Sequence, residues 1–126
     1  MIKYNWNEST FENRFVSNDP EYVALIYDTI VKGYRTGQLF HDIVRKVERV
    51  SGLLKEDVKP IVENELTILN VLDLKGMYER LAVKKYAIDA HCICKTNKVY
   101  ELSEFRQFET APPLHFGCTA TISIVE

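Results

Sequence analysis

The apolar residues of this chain change their spacing once, near residue 82, and that change limits the fold more than any other feature. Before it they recur every three or four positions; after it they alternate. In "NDPEYVALIYDTIVKGYRTG", Asp19 is an N-cap, Pro20 suits the first helical position and Glu21 favours the positive end of the helix dipole. Val23, Ile26, Ile30 and Tyr34 then keep helical spacing up to a stop at Gly37. "QLFHDIVRKVERV" predicts a second helix with a stripe of Leu39 or Phe40, Ile43, Val44, Val47 and Val50, ended by Ser51-Gly52. A third helix is predicted from about Glu56 to Leu81, with Pro60 in its first turn, where a proline does least harm. Its stripe reads Val58, Ile61, Val62, Leu66, Leu69, Leu72 or Asp73, Met77 and Leu81, and Gly76 marks a kink or a close backbone approach.

Beyond residue 82, "LAVKKYAIDA" and "NKVYEL" are β-prone. "TATISIVE" alternates Thr119, Thr121 and Ser123 with Ala120, Ile122 and Ile124. Helices followed by strands predict an α+β fold, with about three N-terminal helices and then a small antiparallel sheet. Residues 1–18 read as a partly extended N-terminal arm, with "IKYNW" a short strand or part of the arm and Tyr4 and Trp6 either anchors for a partner or a cap on the chain's own core. Residues 19–126 read as one domain, since no composition shift or repeat divides them and 126 residues suit a single core.

Charge and hydropathy exclude some roles. Sixteen Lys and Arg stand against eighteen Asp and Glu, a net charge of −2 without a basic stripe, so no strong electrostatic grip on nucleic acid is expected. No apolar run is long enough for a membrane span and "MIKYNWNEST" is not a signal peptide, so a reducing compartment is expected. There, clustered cysteines point to metal or catalysis more often than to disulfides.

All three cysteines and two of the three histidines fall between His91 and Cys118. Cys92, Cys94, His115 and Cys118 are the candidate zinc ligands, because zinc takes four N or S ligands, commonly as two close pairs. His115-x-x-Cys118 is a usual pair and Cys92-x-Cys94 a tighter one, with His91 able to replace either cysteine. The alternative is plain packing, since an unligated buried cysteine behaves as a small hydrophobe. A Cys92 thiolate served by His91 is a poorer reading, because neighbours on a strand point to opposite faces. His41 reads as a half-buried or solvated histidine, and Glu63 and Glu65 as a solvated face, with a capping or sheet-facing hydrogen bond as the alternative for Glu65. No phosphate-binding glycine loop, nucleophile elbow or HExxH motif is present.

Taken in order, these pieces resemble the phage Mu F-like minor head protein family, also called phage head morphogenesis proteins. That family runs from a glutamate-bearing helix to a strand ending near an aspartate, a Cys-x-x-Cys pair, a short "GK-aromatic" strand and a "PPxHPxCRC" signature. Here the corresponding stretches are "IVENELTILNVLDLKGMY" with Glu65, "VKKYAIDA" with Asp89, Cys92 and Cys94, "TNKVYELSEF", and "APPLHFGCTATI" with Pro112, Pro113, His115 and Cys118. The resemblance covers roughly residues 25 to 122. The chain departs from the pattern with CxC for CxxC, Phe116 for proline, Thr119 for arginine and Ala120 for the second terminal cysteine. One structural zinc and none therefore both stay open.

The resemblance implies a structural role and no catalysed reaction. It implies a minor capsid component at the portal vertex inside the head, present in the host cytoplasm during assembly and acting in head assembly, DNA packaging or ejection. Its partners would be the portal protein, the major capsid protein or both, with packaged DNA as a further candidate and no membrane. Two other classes stay open. One is a small effector enzyme, a nuclease or nucleotide-modifying protein, with His91, His115, Glu65 and Tyr100 as its catalytic candidates. The other is a zinc-knuckle nucleic-acid-binding module.

Overall fold

The structure, a computed structural model, describes residues 3–89 and 98–126. Chain contacts divide it into two units, Met1–Leu66 and Thr67–Glu126.

In the first unit, β1 (Lys3–Tyr4) pairs antiparallel with β2 (Phe15–Val16), Tyr4 opposite Phe15. Between them lies a single helical turn, α1 (Phe11–Arg14), capped by the Thr10 hydroxyl on the Asn13 N–H. The N-terminal segment is thus partly extended, with a short strand at Lys3–Tyr4, and it contributes Phe11 and Phe15 to the unit's core. Phe11 and Phe15 are buried, and their rings lie 4.7 Å from Tyr27 and 6.0 Å from Tyr22, respectively. Burying two aromatic rings outweighs the entropy of an extended arm.

α2 (Pro20–Arg35) begins as the sequence predicts, with the Asp19 carboxylate accepting from the Glu21 and Tyr22 N–H groups. Its inward face is Val23, Ile26, Ile30 and Gly33. α3 (Phe40–Ser51) buries Ile43, Val44 and Val47 and stops at Gly52, which takes the left-handed conformation that glycine adopts without steric cost. Gly33 has a role that its flanking sequence does not signal: a Cβ there would lie 2.6 Å from Ile43 Cγ1, so its missing side chain sets how closely α2 and α3 approach.

α4 (Lys55–Arg80) starts slightly earlier than expected, and Pro60 is its sixth residue rather than part of the first turn. The Leu54 carbonyl accepts the N–H groups of Asp57 and Val58 and so starts the helix. The carbonyl that loses its donor to Pro60 belongs to Glu56, which is exposed, so water can replace the bond. The buried face also differs from the predicted stripe. It runs through Val58, Ile61, Val62, Glu65, Ile68, Val71 and Tyr78, whereas Leu72 and Leu81 are exposed and Leu66, Leu69 and Met77 are half-buried. The stripe as predicted holds at Val58, Ile61 and Val62, but it passes over the charged Glu65 and takes the wrong phase beyond it. Gly76 is not a point of close approach, since an added Cβ would meet only the Arg80 side chain, at 3.6 Å.

The second unit holds a three-stranded antiparallel sheet in the order β4 (Val99–Glu101), β3 (Lys85–Asp89), β5 (Thr121–Val125). Tyr86 stands opposite both Tyr100 and Ile124, so these three share a face with Ile88 and Ile122. Tyr86 is fully buried with Val71, Tyr78, Ala111 and Ile122 around it. Ala120 and Ile122 are buried as alternation predicts, but Ile124, near the strand's end, is exposed. Tyr78 donates to the Ile122 carbonyl and Asn70 to the Thr121 hydroxyl, tying the second half of α4 to β5. α4 closes with the Val83 N–H on the Tyr78 carbonyl and the Ala82 N–H on that of Glu79, which holds Ala82 at a φ of 56°. The class is therefore α+β. Among the described residues no helix is long and apolar enough to cross a membrane.

Candidate functional site

Two clusters concentrate the chemistry, one in each unit. In the first, helical phase turns Glu65 inward beside Val62, and it is fully buried. Arg14, at the end of α1, meets it with two parallel bonds of 2.7 Å, Nε to Oε2 and Nη2 to Oε1. The Tyr4 hydroxyl also donates to Oε2. Asn64 Nδ2 donates to that hydroxyl at 2.8 Å and to the Trp6 carbonyl at 3.0 Å. Arg14 Nη1 closes the set on the Glu8 carbonyl at 2.8 Å. Asn64 Oδ1 is buried with no partner among the described residues.

The electrostatics are those of a clamp. Burial by itself lowers the Arg14 pKa, but hydrogen bonds and charge from Glu65 outweigh it and hold the guanidinium above its ordinary value. Burial first, and then the adjacent Glu65 charge, push the Tyr4 phenol far above its usual 10.0. Both Glu65 oxygens are engaged, so this carboxylate presents no face to a substrate. Of the two readings of Glu65, the solvated face is overturned, and its hydrogen bonds run to Arg14 and Tyr4 rather than to a cap or the sheet. Tyr4, read as an anchor for a partner or a cap on the chain's own core, is half-buried and bound to Glu65.

The second cluster is the turn His115–Cys118. The Cys118 N–H bonds to the His115 carbonyl at 3.1 Å, and Gly117 supplies the positive φ of 85° that the turn needs. His115 Nδ1 lies 3.0 Å from the Phe116 carbonyl, which can only accept, so Nδ1 carries a proton. In the neutral ring Nε2 then holds the lone pair, and it is buried without a partner among the described residues. Cys118 is fully buried with Ile88 and Ala120 at the end of β3, and its carbonyl accepts the Thr67 hydroxyl at 2.9 Å. Pro112 and Pro113 precede the turn, both buried and joined by a cis bond, where the sequence predicts an extended return leg.

No protein-family model, curated protein or solved structure matches the chain. Cys92, Cys94 and His91 lie outside the described residues. Among the described residues no three His, Cys, Asp or Glu side chains gather as a metal site. Of the catalytic candidates, Glu65 is clamped by Arg14, and Tyr100 stacks on Tyr86 at 5.6 Å. His41 is exposed and lies 3.4 Å from Asp42 Oδ1. Sequence reasoning missed Arg14 and Tyr4 as partners of Glu65, and Asn64 as the donor to the Tyr4 hydroxyl. One local signal was available for Arg14, a charge enclosed between Phe11 and Phe15.

Proposed function

We propose that this chain is a phage minor head protein of the Mu F-like kind, a structural component that acts through protein contacts at the portal vertex. The observation that carries this reading is the order of its parts. A helix with a buried glutamate, a strand ending at Asp89, a short partner strand, a buried Pro112-Pro113 and a His115–Cys118 turn follow one another as in that family's signature. A glutamate locked in an ion pair suits an architectural part better than a catalyst. The partners are the portal protein and the major capsid protein. The test is mass spectrometry of purified heads, with co-purification on the portal protein. Presence in heads and retention on the portal are expected. Absence from both would overturn the reading.

The same reading places one structural zinc on Cys92, Cys94, His115 and Cys118. His115 Nε2, with its lone pair buried and its other nitrogen already donating, is in the state a ligating histidine adopts. The metal would close the loop between the two pairs and add its binding free energy to folding. About one zinc per chain, lost in Cys118→Ser, is the expected result. No metal and a melting curve unchanged by chelator would leave a packed turn.

A further inference from the structure

The first unit carries a concave basic site outside both clusters. A hollow of about 250 Å³ opens between α2 and α3, lined by Lys32 from one helix and by Lys46 and Arg49 from the other. Thr29, Gln38 and Val50 complete its wall, and no acidic side chain lines it. All three cations are exposed. None is in an ion pair among the described residues, where the pairs are Arg14–Glu65, His41–Asp42, Lys75–Glu79 and Arg106–Glu109. Gly33, where the two helices approach closely, lines the hollow between them. In a chain of net charge −2, this is a local reversal of sign held in a concavity, where low-dielectric walls focus the field.

From this convergence we infer that the α2–α3 hollow binds phosphate groups through Lys32, Lys46 and Arg49. Three positive charges around one small hollow match a compact group carrying two charges, or two phosphates in succession. Carboxylates of an acidic peptide bring one charge each on separate side chains. Arg49 adds a planar fork that fits two phosphate oxygens, and the lysines act as point charges beside it. The phosphates can come from a nucleic-acid backbone or from a free phosphorylated molecule. The site does not depend on the head-assembly reading, and either can fail alone.

The test uses the full chain with two probes, a fluorescein-labelled DNA oligonucleotide followed by anisotropy and inorganic pyrophosphate followed by amide NMR shifts. At low salt at least one probe should bind, and pyrophosphate should shift amides around Thr29–Gly33 and Lys46–Val50. If the oligonucleotide binds, log K should fall with log salt with a slope of about −2 to −3, as for three phosphate contacts. The charge reversals Lys46→Glu with Arg49→Glu lie on an exposed face and should weaken binding on the order of tenfold or more. The control Lys59→Glu should leave binding nearly unchanged. Oligonucleotide binding assigns a backbone site, and pyrophosphate binding alone assigns a free phosphate site. Binding of neither probe, or equal loss in the control, would overturn the inference.

Discussion

The two units are built around opposite kinds of buried polarity. The first encloses a full ion pair, Arg14–Glu65, with Tyr4 and Asn64 bonded around it. The second encloses neutral hydroxyls, with Tyr78 donating to the Ile122 carbonyl and Tyr86 to that of Thr110. A buried charge tolerates few partners and specifies one arrangement, whereas a neutral hydroxyl asks for a single acceptor. The units should therefore respond differently to the loss of one group.

The largest contrast lies in single substitutions. Glu65→Ala or Arg14→Ala strands an opposite charge in the core and should lower unfolding free energy by about 3–5 kcal/mol. The double change Arg14→Met with Glu65→Leu should recover much of that, since it leaves no lone charge. Urea unfolding of the three proteins measures this, and equal losses in single and double variants would show that the clamp acts by packing.

Alkaline pH sharpens the contrast. Burial raises the phenols of Tyr78 and Tyr86, and burial with the Glu65 charge raises Tyr4 furthest. A raised phenol contributes stability that is complete below the unfolded value of 10.0 and is lost as pH climbs above it. Each fully suppressed tyrosine should cost about 1.4 kcal/mol per pH unit in that range. Tyr4→Phe should flatten the alkaline slope more than Tyr78→Phe does. Equal slopes would place the two phenols in equivalent surroundings.

A smaller effect is expected from Tyr86→Phe, which removes one bond to the Thr110 carbonyl and keeps the ring. It should cost about 1 kcal/mol, well below the charge-stranding variants. The smallest is a gain. Ala82 occupies the left-handed position after α4, where glycine has no Cβ penalty, so Ala82→Gly should stabilise by about 0.5–1 kcal/mol. Thermal melts resolve both. A destabilised Ala82→Gly would mean that chain entropy outweighs the relief.

Much of the fold was legible in advance, for local reasons. The start of α2 rests on Asp19 and Pro20, the end of α3 on Gly52, and β5 on the alternation of Ala120 and Ile122. Each signal acts within one turn or one strand. The sequence leaves open whether the N-terminal aromatics serve a partner or the chain's own core, because Phe11 and Phe15 find their ring partners, Tyr27 and Tyr22, at a distance along the chain. The α4 stripe was misread because a glutamate on an apolar face looks like an interruption until its arginine is known. Of the Cys and His set, His115 and Cys118, read as a ligand pair, lie on one turn.

The sequence by itself determined where the period changes, where the long helices and the sheet strands fall, and hence the α+β class. Those follow from backbone propensity and side-chain periodicity, which operate over a few residues. Only the tertiary structure decided that Glu65 faces inward, that Arg14 reaches it from fifty-one positions away, and that Lys32, Lys46 and Arg49 share one hollow. A charge can be buried only when its partner is in place, and that partner is set by packing between segments, which no local pattern records.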